Sequence, residues 1–223
     1  MKRISLTISV ALVVAAFSVS AFAKTPENLV IAKNKIRHYV NSGEYMKSMS
    51  HRYEKAQAYV AKRIQENKSV TNKKKLAVVF DIDETTLSNY PELLKEDFGG
   101  TNDELNQVMN QGIDKAFPPA IKFYKYLLKN KVTPFFITGR TENMRAGTVK
   151  NLKAVGYTHY KHLYLMPNSY NKKSVIPFKS AARKKIESQG YDVVLTIGDQ
   201  YSDLNGGYAD AKLKLPDPFY YIA

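Results

Sequence analysis

Asp81 and Asp83 stand one residue apart directly after the apolar run Leu76 to Phe80, and a second acidic pair, Asp199 and Asp203, follows the run ending at Ile197. Thr138-Gly139-Arg140 closes another apolar stretch, and Lys179 lies between the two in sequence. Brought together, four carboxylates repel strongly: two unit charges about 4 Å apart interact by about 4 kcal/mol even at an effective dielectric near 20. They require a cation. With only carboxylate and carbonyl oxygens on offer and no His or Cys beside them, the expected ion is the hard, octahedral Mg²⁺, with Mn²⁺ as a substitute and zinc disfavoured. Magnesium held by few carboxylates completes its shell with water and substrate phosphate oxygens, which points to phosphoryl transfer.

Residue types then suggest roles. Asp81, at a strand terminus, is the candidate nucleophile that makes an aspartyl-phosphate. Asp83, two residues on, can protonate the leaving alkoxide and later take a proton from the hydrolytic water. Thr138, with Gly139, would bind the phosphoryl oxygens, and Lys179 would steady the charge that develops there. Asp199 is the expected direct metal ligand, and Asp203 supports the ion or its waters.

These residues need a scaffold that gathers them. Leu76 to Phe80 is a continuous apolar run rich in β-branched residues, as expected of a central parallel strand covered on both faces. A helix is predicted from Pro119 to Leu128, a strand from Val132 to Thr138, a helix from Glu142 to Val155 and a strand from His162 to Met166. A helix from Lys179 to Gln189 and a strand from Asp192 to Ile197 complete the order. Alternation of this kind implies an α/β fold with a doubly wound, Rossmann-like parallel sheet, which binds ligands at the carboxyl ends of its strands. All the candidate residues fall on that rim. Residues 24–70 read as a helical segment with a break at Asn41-Ser42-Gly43. Tyr45, Met49, Arg52, Tyr53, Ala56, Tyr59, Val60 and Ile64 form its stripe, which should pack on the domain of residues 71–223.

The four motifs "DIDET", "FFITGR", "FKSAAR" and "GDQYSD" resemble, in order, those of the haloacid dehalogenase (HAD) superfamily of phosphatases. "DIDETTLSN", "TVKNLKAVGY" and "KLPDPFYYI" further resemble the secreted class B/C acid phosphatases, a group that includes bacterial class C enzymes and plant vegetative storage proteins. The resemblance implies a Mg²⁺-dependent phosphomonoesterase, broad in substrate and most active at acidic pH. It carries Asp81 as nucleophile and Asp83 as acid/base with its backbone carbonyl on the metal. It also implies Thr138 and Lys179 as phosphate ligands, and a metal set of Asp81, Asp83, Asp199 and Asp203. Two departures stand out: the cysteine through which many class C members are lipidated is missing, and Asp217 stands where asparagine is more usual. Each motif alone has a structural explanation, as a solvated turn, a helix cap or a surface lysine. Four in the right order, each after the right element, favour an enzyme.

The surroundings bound the function further. Lys2 and Arg3, the apolar run Ile8 to Phe17 and Ala21-Phe22-Ala23 read as a signal peptide, residues 1–23, cleaved after Ala23. Its loss lowers the formal charge from +14 to +12. The absence of cysteine leaves no disulfide and no lipidated junction, so a periplasmic or secreted protein without a stable membrane anchor is expected. The basic surface attracts anions in general, and no specific nucleic-acid partner is expected beside a small phosphomonoester substrate, nucleotide monophosphates included. Nothing in the sequence specifies an oligomeric state. Residues 86–117, between the first two motifs, suffice for a small cap insertion beside an open pocket. Asn89, Tyr90, Phe98 and the loop Pro167 to Lys173 are candidate leaving-group contacts. The rival function is a catalytically weak storage or anion-binding protein on the same scaffold.

Overall fold

The computed structural model describes residues 25–222. The expected signal peptide and its cleavage site therefore lie outside the described residues. Two helices come first, α1 (Leu29–Asn41) and α2 (Glu44–Lys68), separated where Gly43 takes φ 83°. That left-handed backbone is nearly free of cost for glycine alone, which explains the break at Asn41-Ser42-Gly43. The buried face of α2 is Tyr45, Met49, Tyr53, Ala56, Val60 and Ile64, at spacings of three and four. Tyr59 is half-buried, and Arg52 belongs to the exposed side.

The remaining elements are β1 (Lys75–Phe80), β2 (Leu87–Ser88), α3 (Tyr90–Lys95), α4 (Asn102–Gln111), β3 (Lys115–Ala116) and α5 (Pro118–Lys129). They continue with β4 (Thr133–Thr141), α6 (Arg145–Ala154), β5 (Leu163–Met166), α7 (Ile176–Ser188), β6 (Tyr191–Gly198), α8 (Tyr201–Leu204) and β7 (Ala211–Lys214). Five strands pair in parallel in the order β5-β4-β1-β6-β7. The α/β sheet expected from the alternation is present, with β1 at its centre. Several details differ from the sequence expectation: β4 runs past Thr138 to Thr141, and α6 starts at Arg145 after a 3-10 turn over Glu142–Met144. Helix α7 begins three residues before Lys179, where Pro177 supplies a ready-made φ near the start. The edge strand β7 was not foreseen, because Ala-Lys-Leu-Lys offers too short and too polar a pattern to stand out.

Alternate residues of β1 serve opposite faces. Leu76, Val78 and Phe80 join the core that includes Tyr53 of α2 and Phe123 and Leu127 of α5, while Ala77 and Val79 pack with Ala182 and Ile186 of α7. Both faces are covered, which is why the strand reads as an unbroken apolar run. Residues 86–117 form the insertion, whose ends meet in the antiparallel ribbon of β2 and β3. Among the described residues no helix is long and apolar enough to cross a membrane.

The N-terminal helices also reach the rim. The Tyr53 hydroxyl donates to the Thr85 carbonyl at 2.9 Å, fully buried, tying α2 to the turn that follows β1. Tyr53→Phe removes this one hydrogen bond without changing the packed ring, and is expected to lower unfolding free energy by about 1 kcal/mol in a denaturant titration. A loss under about 0.3 kcal/mol would mean that the bond adds nothing beyond packing.

Candidate active site

The strand register sets the geometry of the rim. Phe80 aligns with Phe136 on one side and Ile197 on the other, two residues before Thr138 and Asp199. The Asp81 amide still donates to the Ile197 carbonyl at 3.0 Å, which fixes Asp81 as an extension of β1. Ile82 is fully buried in the core, and its carbonyl accepts from the amides of Thr86 and Leu87 at 2.8 and 2.9 Å. This tight turn, with Glu84 at φ 48°, lifts Asp81 and Asp83 to the rim while Ile82 points into the core.

Asp81, Asp199 and Asp203 each present a carboxylate oxygen within 4.8 Å of the others, all three buried. Lys179, also buried, donates to Asp81 Oδ1 at 2.7 Å and to Asp203 Oδ1. Asp203 Oδ2 in turn accepts from the Gln200 amide at 2.8 Å. Gly198 makes this approach possible: a Cβ there would lie 2.1–2.4 Å from the Asp203 side chain. Burial and the Asp203 charge push Asp81 up to about 7 against the pull of Lys179. Among the described residues no cation is hydrogen-bonded to Asp199. Its Oδ1 accepts from the Thr85 hydroxyl at 3.0 Å and its Oδ2 from Gln200 Nε2 at 2.7 Å, both neutral donors. Burial, then Asp203 and Asp81, drive its carboxyl well above the usual range. A buried carboxylate that is hydrogen-bonded but not neutralised, facing two more acids, fits a divalent cation with oxygen ligands.

Asp83 stands apart from this triad. Its carboxylate is gripped by Arg140, with Nη2 to Oδ1 at 2.7 Å and Nε to Oδ1 and Oδ2 at 3.1 and 3.2 Å, and it accepts from Asn89 Nδ2 at 2.8 Å. Burial raises Asp83, but the Arg140 charge and these hydrogen bonds outweigh it and hold the group below its ordinary value. The Asp83 side chain is thus committed to Arg140 and is not part of the acidic cluster. Arg140 Nη2 also reaches Asp114 Oδ2 at 3.2 Å, so one guanidinium serves two acids on two different elements. Asp114 is pushed up to about 6 by burial, which Arg140 opposes.

The sequence places Arg140 at the close of an apolar stretch and assigns it no role of its own. The available signal was period two: Thr138 and Arg140 alternate along β4, so both reach the rim. The Thr138 hydroxyl oxygen accepts from the Arg140 amide at 3.1 Å, and Gly139 lines the cavity with nothing near the position of an absent Cβ. Glu84, with no exposed surface, was also missed. It accepts from the Asn89 amide at 2.7 Å, Asn89 Nδ2 at 3.0 Å and the Tyr220 hydroxyl at 3.1 Å. Arg183, the last residue of "FKSAAR", is fully buried and donates to the carbonyls of Asp203, Asn205 and Gly207. It therefore braces the loop that carries Asp203.

A cavity of about 490 Å³ opens over these acids. Its floor includes Asp81, Asp83, Lys179, Asp199 and Asp203, and the insertion contributes Leu93, Phe98, Leu105 and Met109 to one wall. Phe219 to Ile222 form another wall. Of the candidate leaving-group contacts, Phe98 lines the cavity. Asn89 is spent on Asp83 and Glu84, and Tyr90 packs against Phe98 and Phe219 behind the wall. The loop Pro167 to Lys173 stays outside the lining, with only Met166 and Val175 at its ends contributing.

The sequence matches the family model described as HAD superfamily, subfamily IIIB (acid phosphatase) over residues 4–223. It is 34% identical over 217 residues to the stem 28 kDa glycoprotein of Glycine max, covering 95% of this chain and 82% of that protein. Acid phosphatase 1 of Solanum lycopersicum is 34% identical over 148 residues, 65% of this chain and 58% of that protein. Vegetative storage protein 1 of Arabidopsis thaliana shows the same identity over 148 residues, 65% of this chain and 54% of its own length. The fold is that of the class C acid phosphatase from Bacillus anthracis, solved with tungstate bound, at TM-score 0.71 and 24% identity over 86% of this chain and 85% of that one. The chain belongs to subfamily IIIB of the haloacid dehalogenase superfamily, the acid phosphatases, and is by that membership a phosphoric monoester hydrolase.

Proposed function

We propose that this protein is an exported, Mg²⁺-dependent acid phosphatase of broad specificity, nucleotide monophosphates among its substrates, working through an aspartyl-phosphate on Asp81. The observation that carries this reading is the buried acidic triad of Asp81, Asp199 and Asp203 at the floor of an accessible cavity, with no neutralising partner on Asp199 among the described residues. Export is supported by the signal-like residues 1–23.

The residues divide the chemistry. Lys179 holds Asp81 Oδ1, while Oδ2 has no hydrogen-bond partner among the described residues and is the oxygen free to attack. As the bond from this oxygen to phosphorus forms, the ester P–O bond breaks, and a proton from Asp83 goes to the departing alkoxide. Water then attacks phosphorus, Asp83 takes its proton, Asp81 is released as carboxylate and inorganic phosphate leaves. Thr138 and Lys179 stabilise the equatorial oxygens in both steps. A bound divalent cation supplies the charge that keeps Asp81 and Asp199 ionised and screens the anionic substrate from the attacking carboxylate. The Arg140 pairing bears on pH: with Asp83 held below its ordinary value its carboxyl is ionised near neutrality, so the proton it must give to a poor leaving group becomes available only as pH falls.

The vegetative storage proteins among the relatives favour a second reading, a storage protein on this scaffold. The retained Asp81, Asp83 and Lys179 count against it. Purified protein with Mg²⁺ is expected to release phosphate from p-nitrophenyl phosphate and from nucleoside monophosphates, and EDTA should reduce release to background. Absence of release between about pH 5 and 7 would leave the storage reading standing. Undiminished release in EDTA would remove the metal from the reaction.

A further inference from the structure

Asp199 is oriented by a side chain that also holds the C-terminal segment. Gln200 is 5% exposed, and its Nε2 donates to Asp199 Oδ2 at 2.7 Å and to Asp217 Oδ2. Its Oε1 accepts from the Ile222 amide at 3.0 Å. An amide nitrogen has two N–H donors, and here both go to carboxylates while the oxygen takes a backbone N–H, so the group has one satisfactory orientation. The far end of this link is anchored independently. Asp217 Oδ1 accepts from the Phe219 amide at 2.8 Å, the Phe219 ring packs on Tyr45 at 5.3 Å and Tyr90 at 5.4 Å, and the Tyr220 hydroxyl donates to Glu84.

The chemistry of the grip matters as much as its geometry. Lys179 brings one positive charge to the pair Asp81 and Asp203 as it positions them, whereas Gln200 and Thr85 hold both oxygens of Asp199 with neutral dipoles. Such a grip fixes a carboxylate and leaves its charge for a cation. We propose that Gln200 is a positioning residue that aims Asp199 from the C-terminal segment, with Asp217 as the acceptor that locks it, so that the affinity for Mg²⁺ is set by residues 217–222. The proposal rests on the reading of Asp199 as a cation ligand. It also assigns a use to the carboxylate at position 217: Asp217 accepts from Gln200 at Oδ2 and from Phe219 at Oδ1, and an asparagine, with an NH₂ in place of one oxygen, cannot accept at both positions.

Melting temperature as a function of Mg²⁺ concentration, without substrate, gives a dissociation constant for each variant and a metal-free stability alongside it. Gln200→Met keeps the length and apolar volume of the side chain and loses both donors. Its dissociation constant for Mg²⁺ should rise by about tenfold or more, the usual effect of losing a partner that orients a metal ligand. Asp217→Asn, which is nearly isosteric, should move in the same direction by a smaller factor, about threefold. A residue that merely supports the fold would lower the metal-free melting temperature and leave the dissociation constant alone. Wild-type affinity in Gln200→Met overturns the proposal, and if that variant does not fold, wild-type affinity in Asp217→Asn does so. Absence of any Mg²⁺ response in the wild-type protein would instead overturn the cation reading on which the proposal stands.

Discussion

Asp81→Asn is expected to lower phosphate release by more than about 10⁴-fold, because the variant removes the atom that bonds to phosphorus and not a group that assists it. The loss should come without unfolding. Burial and the Asp203 charge push the Asp81 carboxyl up to about 7, so the native state holds a proton there in a range where the unfolded chain has lost it. An acid raised in this way costs stability as pH climbs from its unfolded value through the folded one. Asparagine carries no such cost, and Lys179 keeps Asp203 as a partner. The metal-free variant should therefore melt at or above the wild-type temperature near neutral pH. Asp83→Asn provides the contrast: with a good leaving group such as nitrophenol, Asp81 can still be phosphorylated, but hydrolysis lacks its base. Labelled phosphate is expected to accumulate on Asp83→Asn and not on Asp81→Asn. Stable label on the latter would sink the nucleophile assignment.

Arg140→Ala should destabilise the protein by about 3–5 kcal/mol, since it strands two acids that one guanidinium now serves. The Arg140 side chain is 1% exposed and that of Asp114 is 0% exposed, so water cannot replace the pairing at Asp114, whereas Asp83, 18% exposed, is reached through the cavity. The pH dependence has a definite sign. Asp114 already lies at about 6, raised by burial and restrained by Arg140, and without the guanidinium its carboxyl climbs further. Its cost to stability grows as pH rises from the unfolded value through the folded one. Asp83 adds in the same direction, because its depressed folded value contributes stability above the ordinary carboxylate range, and that contribution disappears with Arg140. The gap between Arg140→Ala and wild type should therefore be wider near about pH 7.5 than near about pH 5 in denaturant unfolding. An equal gap at both values would show that packing, not charge, dominates. Arg140→Lys should recover only part of the loss, because an ammonium cannot reproduce the planar fork that spans both oxygens of Asp83.

The insertion gains meaning from the same arginine. Asp114 closes residues 86–117, and its backbone is held on both sides by Asn151 of α6, at 3.0 and 2.7 Å. Gly147 lets α6 come this close, since a Cβ there would lie 2.2 Å from the Asn110 carbonyl oxygen. The wall of the cavity and the orientation of Asp83 are thereby joined through one buried ion-pair cluster.

Much of this molecule is determined by local sequence. The unbroken apolar run before Asp81 specifies a central strand because both of its faces must be buried, and the spacing of three and four from Tyr45 to Ile64 specifies which face of α2 is covered. Once those strands lie parallel, chain order alone brings Asp81, Thr138, Lys179, Asp199 and Asp203 to one rim. Periodicity, however, reports only which face a side chain takes, not which partner it meets there. That Arg140 pairs with Asp83, 57 residues away, and with Asp114, 26 away, depends on where the insertion returns to the sheet. That Gln200 reaches Asp217 depends on the C-terminal segment folding back over the site. Neither pairing has a repeat or a spacing rule, because loops joined by hydrogen bonds between single side chains are specified by the packing of the whole domain. The acids and their scaffold were legible in the sequence, and the tertiary structure decided how each acid is held, neutralised or left with its charge.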